Sequence, residues 1–161
     1  MKQTINIQLK LSEIIYDIQN KTFLTGRSQE ESENPGHIAN MQANDDEENA
    51  SQILRSITTA YAVLRNRLEE FMETGENSTV NDPVGTSENI RLTLYMPSNF
   101  NMAVTRSIGD AAHSFIVAKA LADWFAITAK GSTIDYNIVA RESLKILEEA
   151  LSKRSRLVRT E

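Results

Sequence analysis

The residues able to do chemistry in this 161-residue chain are few. There are two histidines and no cysteine, so disulfides, thiolate metal sites and cysteine nucleophiles are all excluded. His37 stands in an acidic stretch beside Pro35-Gly36. His113 follows Asp110 by three residues. On a helix that spacing puts both side chains on one face, as an acid–base pair or half of a metal site would need. A metal centre in a helical bundle also draws Glu-x-x-His ligands from other helices, and none is present. His113 therefore reads as a helix-surface or interface histidine. The carboxylate pairs Glu69-Glu70 and Glu148-Glu149 fall opposite apolar stripes and read as solvated faces, without the burial that raises a carboxyl pKa for acid–base work. The six glycines are scattered, no Gly-x-Ser-x-Gly elbow occurs, and the one Lys-Gly-Ser run, Lys130-Gly131-Ser132, is no phosphate loop. The expectation is a non-enzymatic protein with no cofactor and no metal.

Charge is more informative than catalysis. The net charge is -5, which does not suit a general nucleic-acid binder. From Ser28 to Glu48 the chain has seven acidic residues and no Lys or Arg, whereas Lys153 to Arg159 holds four basic residues and no acid. The acidic stretch, with Glu30, Glu31 and Glu33, reads as a long loop or arm over residues 28–44. Residues 152–161 read as a basic tail carrying Lys153, Arg154, Arg156 and Arg159. The two could pair within one chain or between neighbouring copies. A basic tail can also touch nucleic acid, which makes a small helical regulatory or nucleic-acid-binding module the alternative reading. No aromatic residue is interleaved there to stack on bases.

The elements that position these residues follow from hydrophobic period. Thr4 to Lys10 alternates, with Ile5, Ile7 and Leu9 on one side, and Asn89 to Met96 alternates likewise with Ile90, Leu92, Leu94 and Met96. Period two predicts two half-buried strands. Ser12 is placed to cap a first helix bearing Ile14, Ile15 and Ile18, stopped at Thr25-Gly26. Asp45 to about Thr74 predicts a second helix, with Ile53, Leu54, Ile57, Ala60, Tyr61, Leu64, Leu68, Phe71 and Met72 on its apolar face. A third, from Asn99 or Asn101 to Ala129, is apolar nearly all round and so central, with Trp124-Phe125 reading as core. Gly109 inside it costs about 1 kcal/mol relative to Ala, for which a kink or a close contact would account. After Lys130-Gly131, Ser132 and Asp135 resemble a capping box for a fourth helix with Ile134, Ile138, Val139, Leu144, Ile146, Leu147, Ala150 and Leu151 as its apolar set. The short turn between the last two helices implies antiparallel packing.

The fold class expected is α+β, mainly α: one four-helix bundle-like domain over residues 1–161, with two strands forming or joining a small sheet and a long acidic loop. A lone two-stranded sheet is marginal, so edges built on Ile5, Ile7, Leu9, Ile90, Leu92 and Leu94 invite pairing with other subunits. No signal-peptide core and no stretch near the ~20 apolar residues of a membrane span is present, so no membrane partner is expected.

The run Ala118-Lys119-Ala120-Leu121-Ala122-Asp123-Trp124-Phe125-Ala126-Ile127-Thr128-Ala129-Lys130-Gly131 is similar to one found in small virion proteins of tailed phages and prophages of gut Bacteroidetes. In that family too a Trp-Phe pair precedes a Lys-Gly break, then a helix with an early aromatic, here Tyr136, then a basic tail. The tail here, Lys153-Arg154-Ser155-Arg156, lacks the family's closing proline. The likeness covers roughly the C-terminal third to 40% of the chain. It implies a structural virion protein made in the host bacterial cytoplasm: a head–tail connector, adaptor or tail-completion protein of the phage neck. It further implies a homo-oligomeric ring, commonly twelvefold, in contact with portal, tail or other neck proteins, with DNA an incidental neighbour. The strands and the two charged segments would then be subunit interfaces.

Overall fold

A computed structural model describes residues 3–28, 47–72, 89–128 and 130–155. Two strands, β1 (Gln3–Lys10) and β2 (Asn89–Met96), accompany four helices: α1 (Leu11–Ser28), α2 (Glu47–Leu68), α3 (Thr105–Thr128) and α4 (Lys130–Leu151). A 3-10 turn at Glu69–Phe71 ends α2, and another at Met102–Val104 leads into α3. The fold is mainly helical α+β, as the periodicities imply.

The strands pair with each other, antiparallel, in a register that sets Ile5 opposite Leu94, Ile7 opposite Leu92 and Leu9 opposite Ile90. All six of these side chains are buried. A slip of one residue would turn the whole apolar set to solvent, so the register is held by the helices beneath. β1 passes into α1 with no residue between them.

α3 is the central helix. It packs on α1, α2, α4 and β1. Twelve of its residues are buried, among them Phe115, Leu121, Trp124 and Phe125. Phe125 stacks on Tyr136 of α4 at 5.4 Å between ring centroids, while at the opposite end Asn101 N–H donates to Lys153 C=O. Start therefore meets end, and α3 and α4 run antiparallel. Asn101 caps the entry to α3: its side-chain oxygen accepts from Ala103 N–H at 3.1 Å. Gly109 faces Ile7 of β1 without a close approach that would require glycine. A Cβ built there would meet Ile7 Cγ2 of β1 at 3.7 Å, an ordinary contact.

Several boundaries differ from expectation. α1 runs through Thr25-Gly26 to Ser28, and α2 proper stops at Leu68 and tightens into the 3-10 turn. α3 begins at Thr105 because Met102–Val104 takes the tighter turn. α4 starts at Lys130, so Ser132 lies inside the helix, buried, and is no N-cap. The largest correction concerns the face of α4. Its buried side is Ser132, Ala140, Ser143, Leu147, Ala150 and Leu151, whereas Ile134, Ile138, Val139 and Ile146 are exposed. Small residues let α4 lie close against the alanine-rich α3, and that contact decides which side is inward.

Candidate functional site

Three surface features carry charge or apolar area that the fold itself does not use up. The first is a groove of about 520 Å³ beside β1, lined by Asn6 to Lys10, by Glu13 of α1, and by Thr105, Arg106, Gly109, Asp110 and His113 of α3. No β2 residue lines it, so it lies along the edge of β1 that β2 does not occupy. At its end His113 Nε2 lies 2.7 Å from Asp17 Oδ2, joining α3 to α1. The histidine pairs across the fold rather than with Asp110, which instead lies 3.9 Å from Arg106 on the exposed face of its own helix. The acid–base partner of His113 is thus Asp17, 96 residues away in sequence. Glu13 and Lys10 form a second exposed pair at 3.8 Å on the rim. With two cations and two anions at the mouth, the groove has no net sign to select an anionic or cationic ligand.

A second groove, about 750 Å³, lies between the end of α2 and the end of α4. Arg67 donates to Glu148 at 3.2 Å across it, with both side chains more than half exposed. Glu69, Glu70 and Phe71 line its other wall. An exposed pair of this kind contributes little, of order 0–1 kcal/mol. Among the described residues no group of three or more His, Asp or Glu stands close enough to hold a metal ion.

The third feature is apolar. Tyr16, Phe23 and Leu24 of α1 are exposed, as are Ile134, Ile138, Val139 and Ile146 of α4 and Ile127 at the end of α3. Ile134 is 66% exposed and Ile127 69%. On α2 the exposed large apolar residue is Val63 alone among those described. The apolar excess is therefore concentrated on the outward sides of α1 and α4. These helices converge where Thr25 Oγ1 lies 2.9 Å from the Tyr136 hydroxyl, so Phe23, Leu24, Ile127 and Ile134 share one end of the bundle. Burial of such side chains is worth ~1.5–3 kcal/mol each.

The interface residues expected from the sequence are distributed unevenly. Ile5, Ile7, Leu9, Ile90, Leu92 and Leu94 are spent on the chain's own core, so an interface at the strands would run through backbone edges and not through these side chains. Lys153 and Arg154 are exposed at the C-terminus of α4. Arg154 donates to the carbonyls of Leu151 (2.9 Å) and Lys153 (3.0 Å), capping the helix where its dipole favours a cation. The chain beyond α4 is tied back by a bridge between Phe100 and Arg154 and by Ser155 N–H donating to Asn99 C=O at 2.7 Å. Glu30, Glu31, Glu33, His37, Arg156 and Arg159 lie outside the described residues. The apolar face of α4 is not expected from the sequence, which counts Ile134, Ile138, Val139 and Ile146 in that helix's packed set, and the sequence reading gives Tyr16 and Phe23 of α1 no role.

Among the described residues, two groups titrate away from their ordinary values. Burial raises the carboxyl of Asp123, with the Lys119 cation opposing it in part. Burial likewise raises the phenol of Tyr61, opposed by Arg65, whose guanidinium lies 5.8 Å from the ring centroid. No described helix is long and apolar enough to cross a membrane. Comparison with protein-family models, with curated proteins and with solved structures finds no match to this chain.

Proposed function

We propose that this chain is a non-enzymatic structural assembly protein, acting by contact with further copies of itself and with neighbouring proteins. The observation that carries the reading is the exposure of Tyr16, Phe23, Leu24, Ile127, Ile134, Ile138, Val139 and Ile146 on α1, α4 and the end of α3. A protein that works alone in water gains nothing from so many large apolar side chains outside its core, whereas an assembling one uses them as contact area.

The resemblance of the Trp124-Phe125 to Lys130-Gly131 run to small phage virion proteins supports reading the assembly as part of the neck of a tailed phage: a head–tail connector, adaptor or tail-completion protein in a ring, bound to portal, tail or other neck proteins. The test is binding of the purified chain to separately purified portal and tail proteins, together with its own mass in solution. Discrete oligomers, or stable binding to portal or tail, support the reading. A chain that is strictly monomeric and binds neither particle nor neck protein contradicts it.

A further inference from the structure

We infer that the outward face of α1 in one copy docks antiparallel on the outward face of α4 in the next. This contact rests on the assembly reading and names its self-contact. Each helix carries exposed apolar residues flanked by exposed charges. On α1 these are Phe23 and Leu24 with Glu13 and Lys21, and on α4 they are Ile134 and Ile138 with Asp135 and Lys145.

Spacing and sign then fix the direction. Glu13 and Lys21 are eight positions apart, about 12 Å along a helix. Asp135 and Lys145 are ten positions apart, about 15 Å. Each of these two pairs runs acid then base along its helix, with Arg141 and Glu142 exposed between Asp135 and Lys145. Set antiparallel, α1 puts Lys21 opposite Asp135 of the next copy and Glu13 opposite its Lys145, and the 3 Å difference in span is within reach of lysine side chains. The same register brings Phe23 and Leu24 against Ile134 and Ile138, and sets the exposed Tyr16 beside Arg141 and Glu142, where its hydroxyl has partners. Reversing the direction would leave at most one of the two charge pairs matched and would set Glu13 near the apolar end of α3.

The partner is a second copy because both halves of the match lie on this chain. They lie on different helices, so the contact can repeat head to tail. Each copy keeps one α1 face and one α4 face to offer, and repetition closes into a ring or extends into a filament. An isologous pair would satisfy the faces and stop at two.

The test uses the full chain, with association followed by sedimentation. Lys21→Asp and Asp135→Lys each place like charges together and should weaken association roughly tenfold. The double variant restores opposite signs across the contact and should recover association to near that of the unaltered chain. Both sites are exposed, and unchanged far-ultraviolet circular dichroism would show that the variants fold. Because the chain has no cysteine, a mixture of Leu24→Cys and Ile134→Cys chains gives an independent check: oxidation should join one kind to the other in preference to its own kind. Association indifferent to the single reversals, no recovery in the double variant, or no mixed disulfide would overturn the contact. In each case the assembly reading would stand on its own test of binding to neck proteins. A monomer at every concentration also overturns this contact, and the assembly reading then falls only if neck-protein binding fails as well.

Discussion

Replacing Gly109 by alanine should stabilise the protein. Glycine inside a helix costs about 1 kcal/mol relative to alanine, through the backbone freedom it loses on folding. Gly109 lies in the first half of α3, well within the helix. The cost of adding a methyl is set by what it meets. Among the described residues the built Cβ meets only Ile7 Cγ2 within 4 Å, at 3.7 Å, which is van der Waals contact without compression. No left-handed backbone angle is present to strain the new residue. The propensity gain is therefore retained, and packing on Ile7 adds slightly to it. The expected stabilisation is about 1 kcal/mol, or a rise of roughly 2–4 °C in Tm for a chain of this size. Urea denaturation followed by far-ultraviolet circular dichroism measures it, and the slope with denaturant should not change. The reverse substitution in the same helix, Ala112→Gly, should destabilise by at least about 1 kcal/mol, since Ala112 is fully buried. A neutral or destabilising Gly109→Ala would mean that β1 lies closer to α3 than 3.7 Å contact allows, and that the glycine is required for that approach.

Other substitutions separate core from surface. Phe125→Ala should cost about 3–5 kcal/mol in urea denaturation, since the ring is fully buried and stacked on Tyr136, whereas Ile134→Ala should change stability by less than about 0.5 kcal/mol. A double-mutant cycle on Asp17→Asn and His113→Ala should give a coupling of about 0.5–1.5 kcal/mol, and a coupling near zero would remove the pair as a link between α1 and α3. Asp123 tests the sign of a burial effect. Its raised pKa means that the folded chain holds the proton more tightly than the unfolded chain, so this contribution to stability is present in acid and lost as pH rises through the folded pKa. Asp123→Asn should therefore stabilise at neutral pH, with the advantage shrinking as the pH is lowered. Denaturation curves at both pH values check this, and an advantage that grows in acid would reverse the assignment.

Much of the fold is legible in the chain because its elements have clean periods. The alternation around Ile5-Ile7-Leu9 and Ile90-Leu92-Leu94 gives both strands, and two one-faced strands pairing with each other follows from that. The apolar circumference of α3 marks it as central for the same reason. α4 was harder to read, because its apolar residues lie on both sides. Hydropathy ranks Ile134, Ile138, Val139 and Ile146 above Ala140, Ser143 and Ala150, but close approach to α3 selects the small residues for the inside. The order of the two sides is a property of the α3–α4 contact and not of α4 alone. The Asp17–His113 pair was hidden for a related reason: local spacing favours Asp110, and only the tertiary packing of α1 on α3 brings Asp17 within 2.7 Å. The capping role of Arg154 was legible, since a cation at a helix C-terminus is favoured whatever surrounds it.

The central claim is that the exposed apolar sides of α1 and α4 are contact surfaces for assembly. The mass of the purified chain, measured by light scattering over a concentration series beside an Ile134→Glu variant, tests it most directly. Discrete oligomers are expected for the unaltered chain and monomers for the variant, with the same far-ultraviolet circular dichroism for both. Oligomers that persist unchanged in the variant would contradict it, as would an unaltered chain that stays monomeric throughout and binds no neck protein.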